Sequence, residues 1–150
     1  MKFFFDTCIS EILVKALGFF EYADKPDFAA KIEILHLKTR YPESKDDKEW
    51  IAEVAEENYI IITGDWAQKK SRGKHEAESR AYRECNAIAF WLPRSFVSMQ
   101  VQGSGRVKFA QASLLFKWWP DIKETAKRAV PGNLFDINDK GAISLRLPSS

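Results

Sequence analysis

The chain is poor in cysteine, poor in histidine and free of long apolar runs. Its two cysteines, Cys8 and Cys85, are too few for a disulfide framework or a four-thiolate zinc site. His36 and His75 lie far apart in sequence with no close cysteine, which argues further against zinc. No apolar run reaches the ~18 residues a spanning helix needs. Asp6 interrupts the opening MKFFFDTC too early for a signal-peptide core. Free thiols and no leader point to a reducing, cytoplasmic home. What is present is ordinary for a folded protein: 150 residues, 45% hydrophobic and 29% charged, the size of one domain and too apolar for disorder.

Net charge is only +2, but it is unevenly spread. Pro42 to Glu57 holds seven acids against two lysines, net −5. Asp65 to Arg94 holds seven bases against four acids, net +3, and Gly105 to Arg128 holds six against two, net +4. An acidic centre with basic flanks suits a metal site beside a polyanion track. Solvated helix faces give the same pattern, so charge alone does not decide.

The pattern alternates strands and helices. Lys2–Phe5 reads as a buried strand. Thr7 or Ser10 can cap a helix whose apolar positions are Ile9, Ile12, Leu13, Ala16 and Leu17, with Gly18 as its stop. Residues 22–28 read as loop and Ile32–Leu37 as a strand. Asp46 opens a helix with Glu49 as capping-box partner and Trp50, Ile51, Val54 and Ala55 as its stripe, ending at Asn58. Tyr59–Thr63 (YIIIT) is the clearest strand. Glu76–Glu84 reads as helix, Ala87–Leu92 as strand, and Ser113–Ala129 as a helix that Pro120 should break or kink. A last short strand is expected within Ala142–Leu147. Such alternation predicts an α/β fold with a mostly parallel central sheet flanked by helices, its functional edge at the carboxyl ends of the strands. A single domain is expected, with a core over about residues 1–95, a helical extension over about 96–135 and a short tail over 136–150.

Three acids are expected to meet at that edge. Asp6 directly follows the first strand, and Asp65 lies two residues past YIIIT. The helix opened by Asp46 runs ~11 residues, about 16 Å, and the ~5-residue strand after it returns about 16 Å. Asp47 therefore comes back to the level of Asp65. Convergent carboxylates repel unless a cation neutralises them, and oxygen donors favour Mg²⁺ or Mn²⁺. Such an ion activates water toward a phosphodiester. Glu76 or Glu78 could complete the set, and Asp46 could replace Asp47. Taken singly, each acid has a plainer reading as a turn residue, a cap or a dipole partner. Lys69, Lys70, Arg72 and Lys74 follow Asp65 closely and read as a phosphate-contacting loop. His36, Cys8 and Cys85 read as buried structural residues, His75 as surface, and Trp118 and Trp119 as core or interface.

The stretches FFFDTCISEILVKAL, DKEWIAEVAEENYIIITGD and HEAESRAYRECNAIAFWL resemble the PIN-like nuclease domain. Together with the tail FKWWPDIKETAKRAVPGNLFDI, they are most similar to its branch of VapC-type toxins from toxin–antitoxin pairs. The resemblance implies a three-layer PIN-like fold and a Mg²⁺- or Mn²⁺-dependent endoribonuclease. It matches Asp6 to the first acid, Asp47 to the acid opening the middle helix and Asp65 to the acid after the central strand. A fourth acid is usual; no Asp stands at an obvious equivalent here, only Glu76 and Glu78. An RNA substrate, a cognate antitoxin protein and, as one assembly, a homodimer are also implied.

Two other functions compete. The missing fourth Asp fits a PIN-like domain that binds nucleic acid or protein without catalysis. A phosphoacceptor receiver also gathers acids at a sheet edge, but Asp6 is followed by Thr7 and Cys8, and no strand-end Lys is evident.

Overall fold

The computed structural model describes residues 1–24, 32–65, 76–98 and 105–146. Its twelve elements in chain order are β1 (Lys2–Phe5), α1 (Glu11–Asp24), β2 (Glu33–His36), α2 (Leu37–Arg40), α3 (Asp47–Glu56), β3 (Tyr59–Thr63), α4 (Glu76–Glu84), β4 (Ala89–Trp91), α5 (Arg94–Ser98), α6 (Gly105–Arg128), β5 (Leu134–Ile137) and β6 (Ile143–Leu145). The strands form one sheet in the order β2-β1-β3-β4-β5-β6. Every pairing is parallel except β5 with β6. This is the expected mostly parallel α/β architecture.

Side-chain alternation along each strand sorts residues onto two faces. Phe3 and Phe5 of β1, Ile60 and Ile62 of β3 and Phe90 of β4 join Leu13, Val14 and Leu17 of α1 and Leu115, Trp118, Trp119 and Ile122 of α6 in one buried cluster. Phe4, Ile61, Ala89 and Trp91 face the other way, against Trp50, Ile51 and Val54 of α3 and Ala81 and Tyr82 of α4. The result is three layers, with α1 and α6 on one side and α3 and α4 on the other. Each of the fully buried phenylalanines of β1 contributes roughly 1.5–3 kcal/mol of burial. Asp6 and Thr63 continue the alternation of Phe4 and Ile61, so both belong to the α3/α4 side.

The parallel register fixes the level of the strand ends. Phe5 pairs with Ile62, and the Asp6 amide donates to the Ile62 carbonyl at 3.0 Å. The chain leaves β1 to build β2 on one side and later β3 on the other, which makes the β1/β3 boundary the topological switch point where open parallel sheets bind ligands.

Several local expectations are corrected. Gly18 does not stop α1, which runs on to Asp24 and so takes up the start of the expected loop; the rest of that loop, residues 25–28, lies outside the described residues. Gly18 faces Ile34 of β2, where an added Cβ would make an ordinary contact at 3.8 Å, so the position is an interior helix site on the packed side of α1. Pro120 does not break α6. Pro120 is exposed, and the helix bond it forgoes is offset by burial of Leu115, Trp118, Trp119 and Ile122. Leu37 leaves the second strand to begin α2, and β5, unread in the sequence, pairs in parallel with β4. Trp118 and Trp119 are core residues, 3% and 4% exposed. Cys8 and Cys85 are free and only partly buried. Among the described residues, no helix is long and apolar enough to cross a membrane.

Candidate active site

Asp6 is a buried carboxylate at the switch point, 5% exposed. Its Oδ1 accepts from the Thr7 amide at 2.6 Å and its Oδ2 from Thr63 Oγ1 at 2.8 Å. Burial raises its pKa to about 6; the two hydrogen bonds pull it down, and the negative charges of Asp47 and Asp65 push it further up. The three acids therefore share one electrostatic neighbourhood although they come from three separate segments.

Asp47 opens α3, capped by Asp46, whose carboxylate accepts from the Lys48 amide at 3.2 Å. The sequence left Asp46 and Asp47 as alternatives. The structure gives Asp46 the cap and places Asp47 among the acids that act on Asp6. Asp47 Oδ1 accepts from the Trp50 indole N–H at 2.9 Å. Asn58, with φ 66°, ends the following turn and returns the chain into β3. At Asp65, the backbone amide donates to Thr63 Oγ1 at 3.1 Å and the carbonyl accepts from the Trp91 indole at 3.0 Å. Gly64 lies between, and a Cβ there would come within 2.2 Å of Val97 Cγ2.

Two neighbours complete the surroundings. The Cys8 thiol accepts from the Gly64 amide at 3.0 Å. Burial, then the charge of Asp6, raises its pKa to about 12, so the free thiol stays protonated. The fully buried Tyr82 phenol is held well above its usual range by burial and then by the charges of Asp6, Asp47, Cys8 and Asp65. Tyr82 thus faces the acids from α4. Glu78 stands one turn earlier on the same helical face. Its Oε2 is buried without a hydrogen-bond partner, the one such side-chain atom among the described residues. Glu76 opens α4.

Not all expected residues are brought together. Among the described residues, no three His, Cys, Asp or Glu side chains close around a point that would hold a metal ion. Lys69, Lys70, Arg72, Lys74 and His75 lie outside the described residues. His36 is a satisfied structural histidine: Nδ1 accepts from the Lys38 amide at 3.1 Å, which leaves Nε2 to donate to the Ile9 carbonyl at 2.7 Å. Burial lowers its pKa.

The sequence reading missed Thr63, Trp50, Trp91 and Tyr82. Two of them carried a signal. Period-two alternation puts Thr63 on the same face as Ile61, and an i, i+3 spacing sets Trp50 over Asp47.

The donor chemistry suits a hard divalent cation. It consists of carboxylate oxygens that raise one another's charge cost. Mg²⁺ is commonly held by one or two carboxylates plus water and substrate phosphate, so a closed protein cage is not required. No curated protein and no solved structure matches the chain. Residues 1–94 match the family model of the PIN-like domain, a family whose members are generally nucleases that use divalent metals, and the chain belongs to that family.

Proposed function

We propose that the protein is a Mg²⁺- or Mn²⁺-dependent endoribonuclease. The observation that carries this reading is the buried Asp6 carboxyl at the β1/β3 switch point, raised to about 6 by burial first and then by the negative charges of Asp47 and Asp65. Asp6, Asp47 and Asp65 would hold the cation. Glu78, with its buried unpartnered oxygen, is favoured over Glu76 as the fourth acid. The bound ion would supply an activated water and neutralise charge at the phosphodiester under attack. The protein's own part is positioning. Thr63 fixes the Asp6 carboxylate and Asp47 is presented by the first turn of α3. Lys69, Lys70, Arg72 and Lys74, which begin four residues after Asp65, would hold the RNA backbone.

The likeness of the N-terminal stretch and of FKWWPDIKETAKRAVPGNLFDI to VapC-type toxins supports a place in a type II toxin–antitoxin pair. The antitoxin would dock where α1 and α6 expose Ile12 and Phe109 around a groove of about 340 Å³. Cleavage of a mixed RNA pool tests the activity: wild type cuts with Mg²⁺ or Mn²⁺ and not with EDTA, and Asp65→Asn does not cut. Equal cleavage by both proteins would refute the site.

One observation favours a second reading, a binding module without catalysis: no three donors close around a point among the described residues. That reading expects salt-dependent RNA binding with no product in any metal.

A further inference from the structure

We infer that Trp50 is a positioning residue for the metal site, its indole N–H holding Asp47 in the conformation that receives the cation. The inference rests on the assignment of Asp47 to that site. Trp50 is fully buried between α3 and the sheet, and its ring lies 5.4 Å from that of Phe4 on β1. Its rotamer is therefore set by the core. The N–H reaches Asp47 Oδ1 at 2.9 Å, so the core's rigidity passes to a half-buried carboxylate at a helix end, where a side chain otherwise swings among rotamers. The opposing account is that Asp47 merely satisfies a buried indole. The two accounts predict different metal affinities once the N–H is removed from a protein that remains folded.

Metal binding separates them without recourse to cleavage. Mn²⁺ titration followed by electron paramagnetic resonance is compared in wild type, Trp50→Phe, Asp47→Asn and the double variant. Loss of a group that orients a metal ligand typically weakens binding 10–100-fold. We expect at least tenfold weaker binding in Trp50→Phe, and no additional loss from Trp50→Phe once Asp47 is Asn. Unchanged affinity in Trp50→Phe beside weakened affinity in Asp47→Asn would overturn the role of Trp50 and leave the site standing. Unchanged affinity in Asp47→Asn would overturn the site assignment itself. Should Trp50→Phe not fold, the wild-type indole 1H–15N resonance of Trp50 decides. It should shift on Mg²⁺ addition in wild type and not in Asp47→Asn; a resonance unmoved at saturating Mg²⁺ would refute the inference.

Discussion

Thr63 and Asp6, 57 positions apart in the chain, meet at 2.8 Å, the threonine hydroxyl donating to the carboxylate. The same hydroxyl oxygen accepts from the Asp65 amide at 3.1 Å. One buried side chain thereby ties the end of β1 to the turn after β3. The acid at each position is held in relation to the other before any ligand arrives.

Replacing that hydroxyl should be costly. Thr63→Val keeps the shape but leaves a buried carboxylate oxygen and a backbone amide without their partner. The expected loss is about 1–3 kcal/mol in urea unfolding, with Thr63→Ser restoring most of it. Metal affinity should fall with Val and recover with Ser.

Asp6 should give stability a pH dependence of unusual sign. Its pKa is raised in the folded protein, from 3.8 to about 6. The folded state therefore holds this proton more tightly than the unfolded chain. The stabilising contribution is complete below about pH 4 and is lost as pH rises through about 6. Asp6→Asn should remove this falling component between pH 4 and 6 from the unfolding free energy. Metal binding should show the reverse dependence, weakening as pH drops through about 6 and Asp6 takes up a proton. Calorimetry and Mn²⁺ titration over pH 4–8 check both.

Much of this arrangement was legible in the sequence because it rests on chain geometry. The near-equal lengths of α3 and β3 predict that Asp47 and Asp65 lie at one level, and both charges act on Asp6; YIIIT announces a central strand. What was not legible depends on tertiary packing. Gly18 looks like a helix stop until the packing of Leu13, Val14 and Leu17 carries α1 past it, and Pro120 looks like a break until the buried face of α6 outweighs one lost bond. β5, with the sequence LFDI, has an acid in its middle that interrupts the apolar run, and its pairing with β4 is a long-range event. At the site, the acids were readable as residue types at strand and helix ends. Thr63 and Trp91, which bond Asp6 and the Asp65 backbone, read as plain core because their partners are known only once the strands are in register.

Gly64 should tolerate no side chain. A Cβ would come within 2.2 Å of Val97 Cγ2 and 3.4 Å of Cys8 Sγ, so the Val97 side chain, α5 or the Thr63–Asp65 turn must move. Gly64→Ala should cost about 1–3 kcal/mol from overpacking and weaken Mn²⁺ binding as Asp65 is displaced. Thermal unfolding and metal titration on the same sample check it.

Glu78→Gln tests the fourth acid. If the buried, unpartnered Oε2 serves the cation, the substitution should weaken Mn²⁺ binding roughly tenfold. Glu76→Gln should have little effect by comparison. The opposite ranking would move the role to Glu76.

The most direct test of the central claim is a Mn²⁺ titration of four single variants beside wild type: Asp6→Asn, Asp47→Asn, Asp65→Asn and the exposed control Glu43→Gln. One shared site predicts that each of the first three weakens binding by at least tenfold while the control binds as wild type. Wild-type affinity in any of the three would show that the carboxylates gathered at the β1/β3 edge do not act together on one cation.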